Sequence, residues 1–149
     1  MVQDKLYFLL SDYPPPKAGD NTIVLAKYHW KHNRIALFNR DAVSTALIHE
    51  IGHWLESYIK RHLDFYYHQR LTDQMRAELT HLGLSEYLST YAQSNPYEFF
   101  AVSFEIFFYP YDLLKEQAPN IFNYLSYYLI EALKTYSDTP SLIDLADRD

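Results

Sequence analysis

Ala46-Leu47-Ile48-His49-Glu50-Ile51-Gly52-His53-Trp54-Leu55-Glu56 is the stretch on which the organisation of the chain turns. Its apolar residues recur at helical spacing, and Leu47, Ile51, Leu55 and Tyr58 form an arc that can face a core. On such a helix His49 and His53 stand one turn apart on the same face, where two ring nitrogens can hold one metal ion. Glu50 lies beside them. Asn39 or Asp41 can cap a helix that begins near Ala42 and runs through the motif to about Arg61. Gly52 inside it costs about 1 kcal/mol relative to Ala, so its place on the metal side suggests room for a neighbouring element or a substrate.

H-E-x-x-H on a helix is the arrangement in which two neutral imidazoles ligate Zn²⁺ and the carboxylate serves as the general base of a metallopeptidase. The plainer alternative is a helix with two surface histidines. A catalytic zinc takes three protein ligands and keeps one position open. Cysteine is absent, which excludes disulfides and thiolate ligation and leaves His, Asp and Glu. The best third ligand is Glu98, in Asn95-Pro96-Tyr97-Glu98-Phe99-Phe100-Ala101-Val102-Ser103-Phe104-Glu105-Ile106-Phe107-Phe108. Asn95 as cap and Pro96 at the first position start a helix there. Nearly everything after is apolar, so a carboxylate on this helix is costly unless it is paired or binds a metal.

Asn95-x-x-Glu98 also fits a capping box, in which the glutamate bonds back to the cap. Glu105, two turns further on the same face, has no capping explanation and favours a metal ligand with an acid behind it. Glu78, the rival ligand, is expected on a wet helix face with Arg76 and His81. Glu56 either orients a ligand imidazole from behind or is a solvated helix charge. His29, His32, His62, His68 and His81 read as non-ligands. The Tyr91 hydroxyl could reach an oxyanion at the site, but among 15 tyrosines a packing role is the better reading of that residue alone.

A chain of 149 residues suits one domain, residues 1–136, followed by a loosely ordered acidic tail, residues 137–149. Lys5 to Leu10 reads as a strand ended by Pro14-Pro15-Pro16. Thr22 to Trp30 and Arg34 to Phe38 read as a hairpin turning at Lys31-His32-Asn33. Its edge could take an extended peptide as an added strand. Leu71, Met75, Leu79 and Leu82 predict a helix over 70–82 stopped by Gly83. The net charge of −6 with scattered basic residues argues against nucleic acid as a partner. No apolar run approaches the roughly eighteen residues of a membrane span, and no signal peptide is visible. The expected location is cytoplasmic, or secreted if a leader has been removed. Nothing in the sequence fixes an oligomeric state.

His49-Glu50-x-x-His53 followed by Tyr91-x6-Glu98-Phe99-Phe100-Ala101 resembles the zincin-type catalytic domain of anthrax lethal factor and its relatives. The longer run from Tyr91 to Phe108, then Pro110, Leu114, Pro119 and Tyr124-Leu125, is similar to the Mlc titration factor A peptidases. The resemblance covers about Asp41 to Leu133. It implies that His49, His53 and Glu98 bind zinc, that Glu50 is the base and that Tyr91 assists the transition state. Glu56 or Glu105 would hold the ligands. Val102 stands where the lethal factor group usually repeats an acid, and the titration factor group is longer on its N-terminal side. The expected fold is α+β: a zincin-like single domain with a small N-terminal sheet and hairpin, the motif helix and a mostly helical C-terminal half. The expected function is a zinc metallopeptidase acting on a peptide or protein. The alternative is a catalytically silent protein of the same fold that binds zinc and serves as a binding or regulatory module.

Overall fold

The structure is a computed structural model that describes residues 6–10, 26–38, 45–108 and 112–137. Three short strands form the N-terminal sheet: β1 (Tyr7–Leu10), β2 (Ala26–His29) and β3 (Arg34–Leu37). Their order is β1-β3-β2. β1 runs parallel to β3, with Tyr7 opposite Arg34, and β2 runs antiparallel to it, with Tyr28 opposite Ile35. The hairpin turn begins one residue earlier than expected, because Trp30 is exposed and belongs to the turn. Asn33 closes it at φ 49°, a left-handed conformation that asparagine tolerates better than most residues. Buried Asn33 also ties the sheet together: its carbonyl accepts from Tyr7 N–H at 2.9 Å, and its Oδ1 accepts from Tyr28 OH at 2.8 Å.

α1 (Thr45–His62) is the motif helix. Its expected start near Ala42 and the caps Asn39 and Asp41 lie outside the described residues, as do the Pro14-Pro15-Pro16 loop and the tail beyond Ser137. A short 3-10 turn, Tyr67–Arg70, leads to α2 (Asp73–Thr80). The helix expected over 70–82 is thus shorter. Leu71 is extended and Thr72 caps α2 by accepting from Met75 N–H. At the far end α2 stops at Thr80, and Gly83 takes the left-handed φ of 70° in the connection that follows.

α3 (Glu86–Gln93) is capped by Ser85, whose hydroxyl accepts from Leu88 N–H, and α4 (Pro96–Phe108) begins as Asn95 and Pro96 predict. α5 (Leu113–Gln117) is short, and α6 (Pro119–Ser137) closes the chain. A mostly helical molecule with a small three-stranded sheet is an α+β architecture.

The core is strongly aromatic. Tyr58 from α1, Tyr67 from the 3-10 turn, Phe99 and Phe100 from α4 and Tyr128 from α6 are among its largest fully buried side chains. Rings meet edge to face, as between Tyr67 and Phe100 and between Tyr124 and Tyr128, an arrangement favoured by the ring quadrupole. One buried phenol is tied to a partner: Tyr128 OH donates to Asp64 Oδ2 at 3.0 Å. Among the described residues no helix is long and apolar enough to cross a membrane.

α1 packs more extensively on α4 than on any other element. A Cβ on Gly52 would stand 3.1 Å from Phe104 Cδ1 and 3.2 Å from Ala101 Cα, so the missing side chain is what lets the two helices approach. The room expected at Gly52 is therefore taken by a neighbouring element. This contact brings the histidine face of α1 against the carboxylate face of α4.

Candidate metal centre

Asn95 and Glu98 divide the work at the start of α4. Asn95 Oδ1 accepts from the Glu98 backbone N–H at 2.9 Å, which caps the helix. The Glu98 carboxylate points across to α1: Oε1 lies 2.9 Å from His53 Nε2, and Oε2 lies 3.3 Å from His49 Nε2. Two turns along α4, Glu105 Oε2 is 3.2 Å from His49 Nδ1. His49 is thus gripped at both ring nitrogens by carboxylates of one neighbouring helix.

Glu50 approaches the same place from the other side. His49, Glu50 and His53 each present a donor atom within 4.8 Å of the others. Glu50 Oε2 accepts from the Tyr28 backbone N–H on β2 at 2.7 Å, a contact that sequence reasoning missed because a main-chain donor leaves no residue-type signal. Tyr91 lies on α3 itself. It is 38% exposed, its ring stacks on His49 with centroids 5.9 Å apart, and its hydroxyl is near enough to the Glu98 carboxylate to help lower that group's pKa.

The electrostatics follow from this crowding. Burial alone would lower the His49 pKa, but the carboxylates of Glu105 and Glu98 outweigh it and push it up to about 9. Burial would likewise raise Glu98, yet the facing imidazoles of His49 and His53 hold it well below the usual carboxylate range. Glu50 goes the other way: burial raises it, against the opposing pull of His53 and the Tyr28 N–H.

The donor set fits a divalent cation of the zinc type. Two imidazole nitrogens and a carboxylate face one another with cysteine absent, and Glu98 Oε2 is buried with no well-aligned hydrogen-bond partner among the described residues. An orphaned acceptor between two imidazoles is better satisfied by a cation than by either ring.

The other candidates are elsewhere. Glu56 is 6% exposed and therefore not a solvated charge, and among the described residues it makes no hydrogen bond to either imidazole. Burial raises its pKa against the pull of the Tyr67 hydroxyl, although Glu56 Oε1 and the phenol oxygen close no well-aligned bond. Glu78 is not on a wet face. It is half-buried, and its carboxylate accepts from Asn120 N, Asn120 Nδ2 and Ile121 N at 3.2, 2.7 and 3.1 Å. His32, His62 and His81 are exposed, and half-buried His68 stands edge-on to Tyr67.

A family model described as anthrax toxin lethal factor, N- and C-terminal domain, matches residues 16–128. The chain belongs to the anthrax lethal factor family. The matched segment contains β2, β3, α1 to α5 and about half of α6, and so every residue of the cluster just described. Comparisons with curated proteins and with solved structures gave no significant match. Membership of the lethal factor family agrees with the resemblance carried by His49-Glu50-x-x-His53 and Tyr91-x6-Glu98.

Proposed function

We propose that this member of the lethal factor family is a zinc-dependent metallopeptidase, with a zincin-like domain and a peptide or protein as substrate. One observation carries it: Nε2 of His49 and Nε2 of His53 converge from α1 on the two oxygens of Glu98 on α4. His49, His53 and Glu98 are the residues that would hold the ion. Bound there, Zn²⁺ would polarise the scissile carbonyl and bring the attacking water toward a pKa of about 7.

The chain's own groups supply the remainder. Glu50 accepts the water's proton and passes it to the leaving amine, and its burial makes it a stronger base than an exposed glutamate. Tyr91, exposed at the rim and against His49, donates its hydroxyl to the oxyanion that forms on attack. Glu105 holds His49 through Nδ1 and so keeps Nε2 turned toward the cluster. The outer edge of β2, apart from the Tyr28 N–H that Glu50 takes, is unpaired within the described sheet and is where an extended peptide would align.

Glu50→Gln tests the mechanism. The variant should keep one zinc per chain and lose cleavage of a peptide library by about a hundredfold or more. Equal cleavage by variant and parent removes Glu50 as the base. Zinc binding without turnover by the parent would make the chain a metal-loaded binding module.

A further inference from the structure

We infer that the β2–β3 hairpin is a positioning element for Glu50, acting through the backbone N–H of Tyr28. It rests on the peptidase reading for its catalytic consequence, but not for the contact itself. β2 is the edge strand of the described sheet, paired on one side only, with β3. The Tyr28 N–H is turned to the other side, where it donates to Glu50 Oε2 at 2.7 Å. That distance is short for a backbone donor and typical of a bond to a charged acceptor.

The donor is itself held in place. Tyr28 OH reaches back to Asn33 Oδ1 at 2.8 Å, and Asn33 is buried at the left-handed turn position, where its carbonyl also takes the N–H of Tyr7. Three strands therefore fix one amide against one carboxylate. A glutamate side chain has three rotatable bonds. Binding one oxygen removes most of that freedom and holds the carboxylate within reach of the histidines. The hairpin then sets which way the base points, while α1 alone sets only where it starts.

Amide hydrogen exchange measures the contact without any turnover. Exchange of the Tyr28 N–H in the metal-free protein should quicken about tenfold or more in Glu50→Ala and stay slow in Glu50→Gln, whose amide oxygen can still accept. An unchanged Tyr28 rate in Glu50→Ala overturns the inference whether or not the protein cleaves peptides. The catalytic arm compares Tyr28→Pro with Tyr28→Ala. Both delete the side chain, but only proline deletes the N–H, and an outward-facing edge position is where a strand tolerates it. In Tyr28→Pro kcat should fall about tenfold below Tyr28→Ala, with KM within about twofold and zinc content equal. Equal kcat in two folded, zinc-loaded variants overturns the positioning role. A parent that cleaves nothing defeats the peptidase reading and leaves the exchange result to decide the contact.

Discussion

His49 is the residue whose surroundings say most about the metal-free protein. Its pKa stands at about 9 against an ordinary 6.5, because Glu105 and Glu98 favour the protonated ring more than burial disfavours it. The folded chain therefore binds this proton more tightly than the unfolded chain does. The resulting stabilisation is full below pH 6.5 and is lost as the pH rises through about 9. Glu98 is the mirror case: its folded pKa is depressed below the ordinary 4.5, so its stabilisation is present above that value and is lost as the pH falls. With chelator present, the melting temperature should be highest between roughly pH 5 and 6.5 and decline on both sides. A flat profile from pH 6.5 to about 9 would show that the two carboxylates do not hold the His49 proton. Much of this cluster was legible in the sequence. The helical spacing of His49 and His53 and the oddity of two carboxylates on the aromatic segment after Asn95-Pro96 named those four, whereas Tyr91 by itself read as a packing residue and the Tyr28 N–H left no signal. Glu56 was harder, since a helical position three residues from His53 fixes a direction but not what fills the space there. Here that space holds Tyr67.

At the scale of elements, starts and stops were readable where a side chain caps its own helix, and hidden where the cap comes from afar. Asn95 and Pro96 announced α4 because cap and first residue adjoin. The start of α6 carries Pro119 but no serine, threonine or aspartate to satisfy the amides behind it. Glu78, on α2 and some forty residues earlier, provides the acceptors instead for Asn120 and Ile121. Its carboxylate also meets the positive end of the α6 dipole. Glu78→Ala leaves these donors unpaired in a half-buried setting and should cost about 1–2 kcal/mol. In a chain of this size that lowers the melting temperature by roughly 2–8 °C. Glu78→Gln, which keeps an acceptor and loses the charge, should fall between variant and parent. A melting temperature unchanged in Glu78→Ala would mean that water satisfies the α6 amides equally well.

Over the whole molecule, the pattern of strands and helices gave the fold class, but neither the order of the strands nor the meeting of α1 with α4. Strand order depends on β1 joining β3 in parallel across the hairpin, which no local periodicity encodes. The α1–α4 contact depends on Gly52, whose bare Cα admits Phe104 and Ala101 and which the sequence marked as room for a neighbouring element or a substrate without saying which element. That contact makes the proposed ion a cross-link between two helices separated by more than thirty residues of chain. A ligand that binds only the folded state adds stability by mass action, about 4 kcal/mol when present at a thousand times its dissociation constant. Removing zinc with a chelator at neutral pH should therefore lower the melting temperature of the parent by roughly 8–16 °C. In Glu98→Ala the histidines remain on α1 but the bridge to α4 is gone, so the variant should purify with little zinc. Chelator should then shift its melting temperature hardly at all. A chelator shift in Glu98→Ala as large as in the parent would place the third ligand on another residue. Glu50, which presents an oxygen within reach of both imidazoles, would then be the candidate ligand rather than the base.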